Sequence, residues 1–152
     1  MAAIQDLLPN NHCYGCGADN PHGMQLKSYR DGDVTRATYT PRPEQSAGPL
    51  QYVYGGTIAS LIDCHCVGSA IAHHYALEGR EIGEGDAIWC VTGRLTVNYL
   101  APTPIDQPID LVARIVESEG RKTFLNCTLT SGDVTTAEGE VIAIRVPPEW
   151  RD

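Results

Sequence analysis

One acidic residue occupies the most apolar stretch of the sequence. Between Gly55 and Ala72, Asp63 is the only acidic or strongly basic side chain. A carboxylate in apolar surroundings has a raised pKa or is held by specific partners, because an isolated buried charge is costly. Such a group suits general-base or nucleophilic chemistry. Two other readings of Asp63 stay open: it points to solvent, or a hydrogen bond ties it into the core.

A glycine pair lies ahead of this acid. Gly55 and Gly56 precede an apolar segment, and unobstructed amides at a helix start suit a carbonyl oxygen that gains negative charge during attack. The alternative is an ordinary glycine turn. Gly55 and Asp63 are eight residues apart, slightly more than two helical turns, so the spacing is compatible with one side of a helix.

The element that positions both groups is a helix, predicted over residues 57–77. Its apolar residues recur at three- and four-residue spacings, and Gly79 follows as a stop signal. The segment is weakly polar on every side, which is typical of a buried helix.

The rest of the chain predicts strands. Two alternating segments flank Asp31-Gly32, a hairpin signal, and four more follow the helix, at residues 91–99, 108–117, 123–130 and 137–146. In the first of these, Thr92 is predicted on the face opposite Leu95 and Val97. We therefore predict an α+β hotdog fold, with one long central helix wrapped by a curved antiparallel sheet. Residues 1–152 form a single domain, in which residues 1–23 are irregular.

Composition narrows the function classes. Eleven basic and nineteen acidic residues give a net charge of −8, which disfavours nucleic acid and anionic membranes as partners. The sequence has no run of about 18 apolar residues and no secretory signal, so we expect a cytoplasmic protein without membrane partners.

The six cysteines include one pair at metal-binding spacing, Cys13 and Cys16. No second pair of this spacing follows. Cys64 and Cys66 lie within the predicted helix, where side chains two residues apart diverge by about 200° and cannot chelate together. We therefore expect no metal site and no redox role for these thiols.

Three segments together resemble the PaaI-type hotdog acyl-CoA thioesterases. Residues 54–63 (YGGTIASLID) are similar to that family's glycine-pair and acid segment. Residues 13–26 (CYGCGADNPHGMQL) resemble the opening of one branch, and residues 95–102 (LTVNYLAP) resemble a family strand. The resemblance covers about residues 13–146 in the family's order.

The resemblance implies roles for individual residues. Asp63 falls on the catalytic carboxylate, acting as general base toward water or as nucleophile on the thioester. Gly55 falls on the glycine whose amide polarises the thioester carbonyl, beside Gly56. Thr92 falls on the position where a Ser or Thr of the neighbouring subunit helps to hold the water. The resemblance also implies a homodimer, often paired into a homotetramer, and no cofactor.

Two positions depart from the family pattern. Tyr54 stands where the family usually has His, and Gly48 stands where it usually has Asn or Gln. Gln45 and Gln51 are the candidate replacements for that amide. Arg121 and Lys122 form the local basic pair best suited to the phosphates of coenzyme A, although an exposed turn with ordinary charges explains them equally well.

The expected function is hydrolysis of an acyl-CoA thioester to free acid and coenzyme A. A non-catalytic acyl-CoA or lipid-binding hotdog protein is the alternative, favoured by Tyr54 and Gly48 and opposed by Asp63. A hotdog dehydratase would need a His in the loop before the helix, where Tyr54 stands.

Overall fold

A computed structural model describes residues 1–151. One long helix, α1 (Gly55–Leu77), packs against a six-stranded antiparallel sheet, and this confirms the predicted α+β hotdog architecture. The strands lie in the order β1-β2-β4-β5-β6-β3. In chain order they are β1 (Tyr29–Asp31), β2 (Val34–Tyr39), β3 (Trp89–Tyr99), β4 (Ile109–Glu119), β5 (Lys122–Ser131) and β6 (Val134–Val146).

The helix is buried around most of its circumference, as its uniformly apolar sequence predicts. Leu61 and Ile62 are fully buried, and they belong to one hydrophobic cluster with Leu111, Leu129 and other sheet residues. A Cβ at Gly139 on β6 would lie only 2.5 Å from Cγ2 of Ile62, so a glycine there lets the helix approach the sheet closely. By length and composition alone α1 could also cross a membrane, but most of that stretch is buried within the fold.

The helix begins two residues earlier than predicted. Tyr54 is extended, and Gly55 and Gly56 form the first turn of α1 instead of preceding it. The helix ends where Gly79 adopts a positive φ of 68°, a conformation that glycine accepts without strain. The amides of Gly79 and Arg80 then bond back to the carbonyls of Ala76 and Tyr75, both at 3.0 Å.

The first hairpin is shorter than its alternating pattern predicts. β1 has only three residues, and Gly32 and Asp33 form the connecting turn. Residues 24–28 are not a strand, because the N-terminal segment supplies their partners. The Ile4 amide bonds to the Ser28 carbonyl at 2.9 Å, and the Ser28 amide donates to Oε1 of Gln5 at 2.8 Å.

A bulge in β3 overturns the predicted face of Thr92. The pairing register with β6 shifts between Thr92 and Arg94, so Gly93 is an extra residue in the strand. A Cβ at Gly93 would approach Cδ1 of Ile144 to 2.6 Å. The extra residue reverses the alternation, and Thr92 therefore lies on the helix side of the sheet together with Leu95.

Candidate active site

Asp63 and Thr92 meet on the helix side of the sheet. The Thr92 hydroxyl donates a 2.5 Å hydrogen bond to Oδ1 of Asp63. This contact forms within one chain, whereas the resemblance implied that a neighbouring subunit supplies the hydroxyl. Without the bulge at Gly93, Thr92 would face away from α1, so the backbone irregularity is what brings this pair together.

Asp63 is half-buried at the wall of a mainly apolar cavity of about 260 Å³. Burial raises the pKa of its carboxyl group above the usual range, and the hydrogen bond from Thr92 opposes this rise. A negative charge on Cys13 also raises the pKa of Asp63. The cavity is lined by Gln5, Leu8, Asn11, Cys13, Cys16, Asp63, Cys64, Val67, Gly68, Ile71, Trp89, Cys90, Val91 and Thr92.

The start of α1 offers hydrogen-bond donors. Within residues 1–151 the amides of Gly55 and Gly56 donate to no acceptor. Tyr99 on β3 fixes this turn, because its hydroxyl donates to the Gly55 carbonyl at 2.6 Å. The ring of Tyr54 lies against Gly56, at the place where a Cβ would be.

The two parts of the predicted site are separated along α1. Eight residues separate Gly55 from Asp63, which corresponds to about 12 Å along a helix axis. A carbonyl group spans only about 1.2 Å. The carbonyl group alone therefore does not bridge Gly55 and Asp63 of one chain, although the sequence spacing is compatible with one side of a helix.

The candidate polar residues before the helix do not line the Asp63 cavity. Gln45 is buried, and its side chain bonds to the Tyr39 hydroxyl and to the Arg42 amide at 2.8 Å. Its carbonyl accepts the Tyr54 amide at 2.8 Å, so Gln45 positions the turn ahead of α1. Gln51 and Gly48 are both exposed, and neither lines the Asp63 cavity. Tyr54 is 59% exposed at the helix start.

Arg121 and Lys122 lie far from Asp63. They are exposed at the turn between β4 and β5. The next residue, Thr123, contacts Nε2 of His74 at 3.2 Å. Because His74 is eleven residues beyond Asp63 on α1, this turn lies about 16 Å further along the helix axis. The structure thus brings Asp63 and Thr92 together, whereas the basic pair lies near the C-terminal end of α1.

A cluster of three thiols adjoins Asp63. The sulfur atoms of Cys13, Cys16 and Cys64 all lie within 4.8 Å of one another, and those of Cys13 and Cys64 are 3.7 Å apart. Hydrogen bonds from the other two thiols and from the Gly15 and Cys16 amides lower the pKa of Cys13. The same contacts raise the pKa of Cys64, which is also deeply buried. One thiolate is therefore favoured in the cluster.

Sequence reasoning missed this cluster, because it considered Cys64 only together with Cys66 on the helix. The sulfurs of Cys13 and Cys64 are separated by 51 positions in the chain. Only the path of residues 9–26 across α1 brings them together. The one signal present in the sequence was the position of Cys64, directly after the candidate catalytic acid.

Known proteins share this architecture. Residues 50–138 match the profile of the family described as Thioesterase superfamily, a stretch that contains Gly55, Asp63 and Thr92. A solved thioesterase superfamily protein from Shewanella loihica PV-4 is 36% identical, with a TM-score of 0.66, over 91% of this chain and 96% of that one. The fold and the site define a hotdog protein. The chain belongs to the thioesterase superfamily.

More distant relatives carry more specific names. Acyl-coenzyme A thioesterase THEM4 from Mus musculus is 29% identical over 100 residues, covering 64% of this chain and 37% of that protein. The match thus spans well under half of that relative's length. The PaaI protein of the E. coli phenylacetic acid degradation operon shares the fold, with a TM-score of 0.64 at 16% identity over 82% of this chain and 81% of that one.

Proposed function

We propose that this protein hydrolyses an acyl-CoA thioester to the free acid and coenzyme A. The observation that carries the proposal is the Asp63–Thr92 pair, a carboxylate with a raised pKa in a mainly apolar cavity. Thioester hydrolysis needs a positioned base and donors for the developing oxyanion, and both are residues of this chain. The reaction requires no metal or redox cofactor, since a thioester is already activated.

Asp63 acts as the general base in this proposal. Thr92 holds Oδ1, which leaves Oδ2 to accept a proton from water. The water oxygen attacks the thioester carbon, the carbon–sulfur bond breaks, and the coenzyme A thiolate takes up the proton held by Asp63. Direct attack by the Asp63 carboxylate, followed by hydrolysis of the resulting anhydride, is the alternative course.

The oxyanion donor comes from a second copy of the chain. The axial distance of about 12 Å between Gly55 and Asp63 disfavours their joint action within one chain. Strand β3 ends the sheet on one side, so its outer edge has no strand partner among residues 1–151. We propose a homodimer across this edge in which Gly55 of each copy lies near Asp63 of the other, with pairing of dimers into a homotetramer.

The remaining predicted residues contribute to substrate binding and not to the chemical step. Tyr54 and Gly56 flank the donor amide at the helix start, and Gln45 positions this turn. Gln51 and the basic pair Arg121 and Lys122 are candidates for contacts with outer parts of coenzyme A. A cytoplasmic location, without nucleic-acid or membrane partners, remains a prediction from charge and composition.

The test is an assay of hydrolysis across short, long and aromatic acyl-CoAs with the wild type and Asp63→Asn. Turnover should fall by about 10²–10⁴-fold in the variant, the usual contribution of a general base. Asp133→Asn, in the exposed turn before β6, is the matched control and should retain turnover. Full activity of Asp63→Asn would refute the role of Asp63.

One observation favours a second candidate function, a non-catalytic acyl-CoA-binding protein. Gly48 is exposed, and no atom lies within 4 Å of where its Cβ would be. This position therefore lacks the side-chain amide that an Asn or Gln would bring to a site. Binding of every acyl-CoA in the panel without hydrolysis of any would favour this candidate.

A further inference from the structure

We propose that Cys13, Cys16 and Cys64 form a Zn²⁺ site, in which three thiolates bind the ion and a water or another small donor completes the tetrahedron. The three sulfurs line the same cavity as Asp63, but the metal site does not depend on the thioesterase reaction. In this site, the metal ties the N-terminal segment to the middle of α1.

The sulfur positions match a tetrahedral thiolate site. Zinc–sulfur bonds of 2.3 Å at tetrahedral angles place two sulfur atoms about 3.8 Å apart. The sulfurs of Cys13 and Cys64 are 3.7 Å apart, and all three lie within 4.8 Å of one another. Small adjustments of the side chains are enough to admit an ion. Thiolates are soft ligands, so they select zinc over magnesium or calcium.

The loop between Cys13 and Cys16 is shaped to present its sulfurs. The Gly17 amide bonds to the Cys13 carbonyl at 2.7 Å, which closes a tight turn. A Cβ at Gly17 would lie 2.5 Å from the Cys13 amide nitrogen, so the turn requires glycine there.

Gly15 opens the path for the third sulfur. A Cβ at this position would overlap Sγ of Cys64. The glycine therefore allows a side chain from α1 to reach the loop. Cys13 is exposed, which gives an ion and its fourth ligand access from solvent.

An unpaired buried amide supplies an independent observation. Asn11 is only 2% exposed, and its Nδ2 makes no hydrogen bond within residues 1–151. Its Oδ1 accepts the Cys13 amide at 3.2 Å, which fixes the side chain beside the loop. A buried donor without an acceptor is costly, and a ligand bound in the adjoining cavity, which Asn11 also lines, would supply one.

Asp63 is not the fourth ligand. Its carboxylate lines the same cavity, but it is not part of the group of ligand atoms within 4.8 Å. Its Oδ1 is also held by Thr92. The metal site and the proposed catalytic acid are therefore neighbours with separate partners, and they can be tested separately.

The first measurement is the zinc content of the full chain purified without chelators, with Co²⁺ substitution as a spectroscopic readout. We expect one Zn²⁺ per chain and, with Co²⁺, an intense near-ultraviolet thiolate charge-transfer band with tetrahedral visible bands. Cys16→Ser and Cys64→Ser should lose the metal and the band. Cys127→Ser, which removes a buried thiol elsewhere in the core, should keep both.

A second pair of variants tests the geometry without removing a ligand. Gly15→Ala places a methyl group where the Cys64 sulfur lies and should weaken zinc binding at least tenfold, whereas Gly48→Ala enters open space and should not. Asn11→Ala should weaken binding about 10–100-fold, as loss of an outer hydrogen bond typically does. Zinc should raise the melting temperature of the wild type but not of Cys64→Ser.

Three results would overturn the proposal. The first is wild-type protein without zinc and without the charge-transfer band. The second is a band that persists in folded Cys64→Ser. The third is a Cys13–Cys64 disulfide in the wild type that forms in zinc-replete buffer in place of metal binding. All these readouts are independent of thioester hydrolysis, so they stand whether or not the protein is a thioesterase.

Discussion

Asp63 and His65 lie two residues apart in the same apolar stretch of α1, yet their surroundings are opposite. His65 is fully buried, and both ring nitrogens have partners: Nε2 donates to the Thr35 carbonyl at 2.9 Å, and Nδ1 accepts the Ser28 hydroxyl at 2.8 Å. Asp63 is half-buried, with one oxygen held by Thr92 and a cavity beside it. A titratable group whose hydrogen-bonding positions are all occupied stabilises the fold, whereas a carboxylate with a free oxygen at a cavity is available for chemistry.

This contrast extends to the start of α1, where the donor amide also has no acceptor within residues 1–151. Gly55→Pro removes that amide alone, because proline suits the first position of a helix and the extended Tyr54 is compatible with a following proline. Turnover should fall by about 10²–10³-fold, the usual cost of losing one oxyanion donor. A Gly55→Ala variant, which keeps the amide, is the matched control, since its Cβ would make only ordinary contacts of 3.5 Å with Tyr99. Equal loss in both variants would show that packing, not the amide, matters.

Removal of the His65 side chain should mainly affect stability. His65→Ala leaves the Ser28 hydroxyl and the Thr35 carbonyl without their partner and opens a cavity, which together cost about 3 kcal/mol. Urea unfolding measures the loss, and His22→Ala at an exposed position should change the free energy of unfolding little. A His65→Ala protein of unchanged stability would contradict the structural role.

The same histidine predicts a pH dependence of stability. Burial lowers the pKa of His65 from 6.5 to about 4, so between these values the unfolded chain binds more protons than the folded one. The stabilisation is complete above pH 6.5 and is lost as the pH falls to about 4, with a total of about 3 kcal/mol from this group. Unfolding measured from pH 7 to pH 4 should show this slope, and His22→Ala should retain it. Because burial also lowers the pKa values of His73 and His74, a slope equally steep in His65→Ala would show that His65 does not cause it.

Among the predictions for Gly55, His65 and Thr92, removal of the Thr92 hydroxyl should have the smallest effect, because Thr92 acts through Asp63. Its hydrogen bond lowers the pKa of Asp63, so Thr92→Val should raise that pKa further. Since the reaction needs the ionised carboxylate, the acidic limb of the pH–rate profile should move to higher pH. Thr96→Val, on the opposite face of β3, should leave the profile in place. If the acidic limb does not shift in Thr92→Val, Thr92 does not influence the ionisation of Asp63.

The sequence predicted the regular elements well, and the reasons are local. The apolar stretch around Asp63 has the uniform burial of a core helix, and the alternating segments after it form the predicted strands. Asp63 itself stood out because a lone acid in such a helix is unusual. These features depend on neighbouring residues, so a single sequence contains them.

The parts that could not be predicted depend on distant contacts or on one inserted residue. The bulge at Gly93 changes which way Thr92 points, and no alternation pattern shows it. Cys64 joins Cys13 only because the N-terminal segment crosses α1. The distance between Gly55 and Asp63 becomes decisive only when a carbonyl group must reach both. In each case the missing information was geometric.

The central claim is that a working site combines Asp63 of one chain with Gly55 of another. The most direct measurement is turnover by a mixed dimer of one Asp63→Asn chain and one Gly55→Pro chain, coexpressed with two different tags and purified through both. The proposed arrangement gives such a dimer one intact site of two, so it should regain about half of wild-type turnover although each parent is nearly inactive. A mixed dimer no more active than its parents would contradict the account.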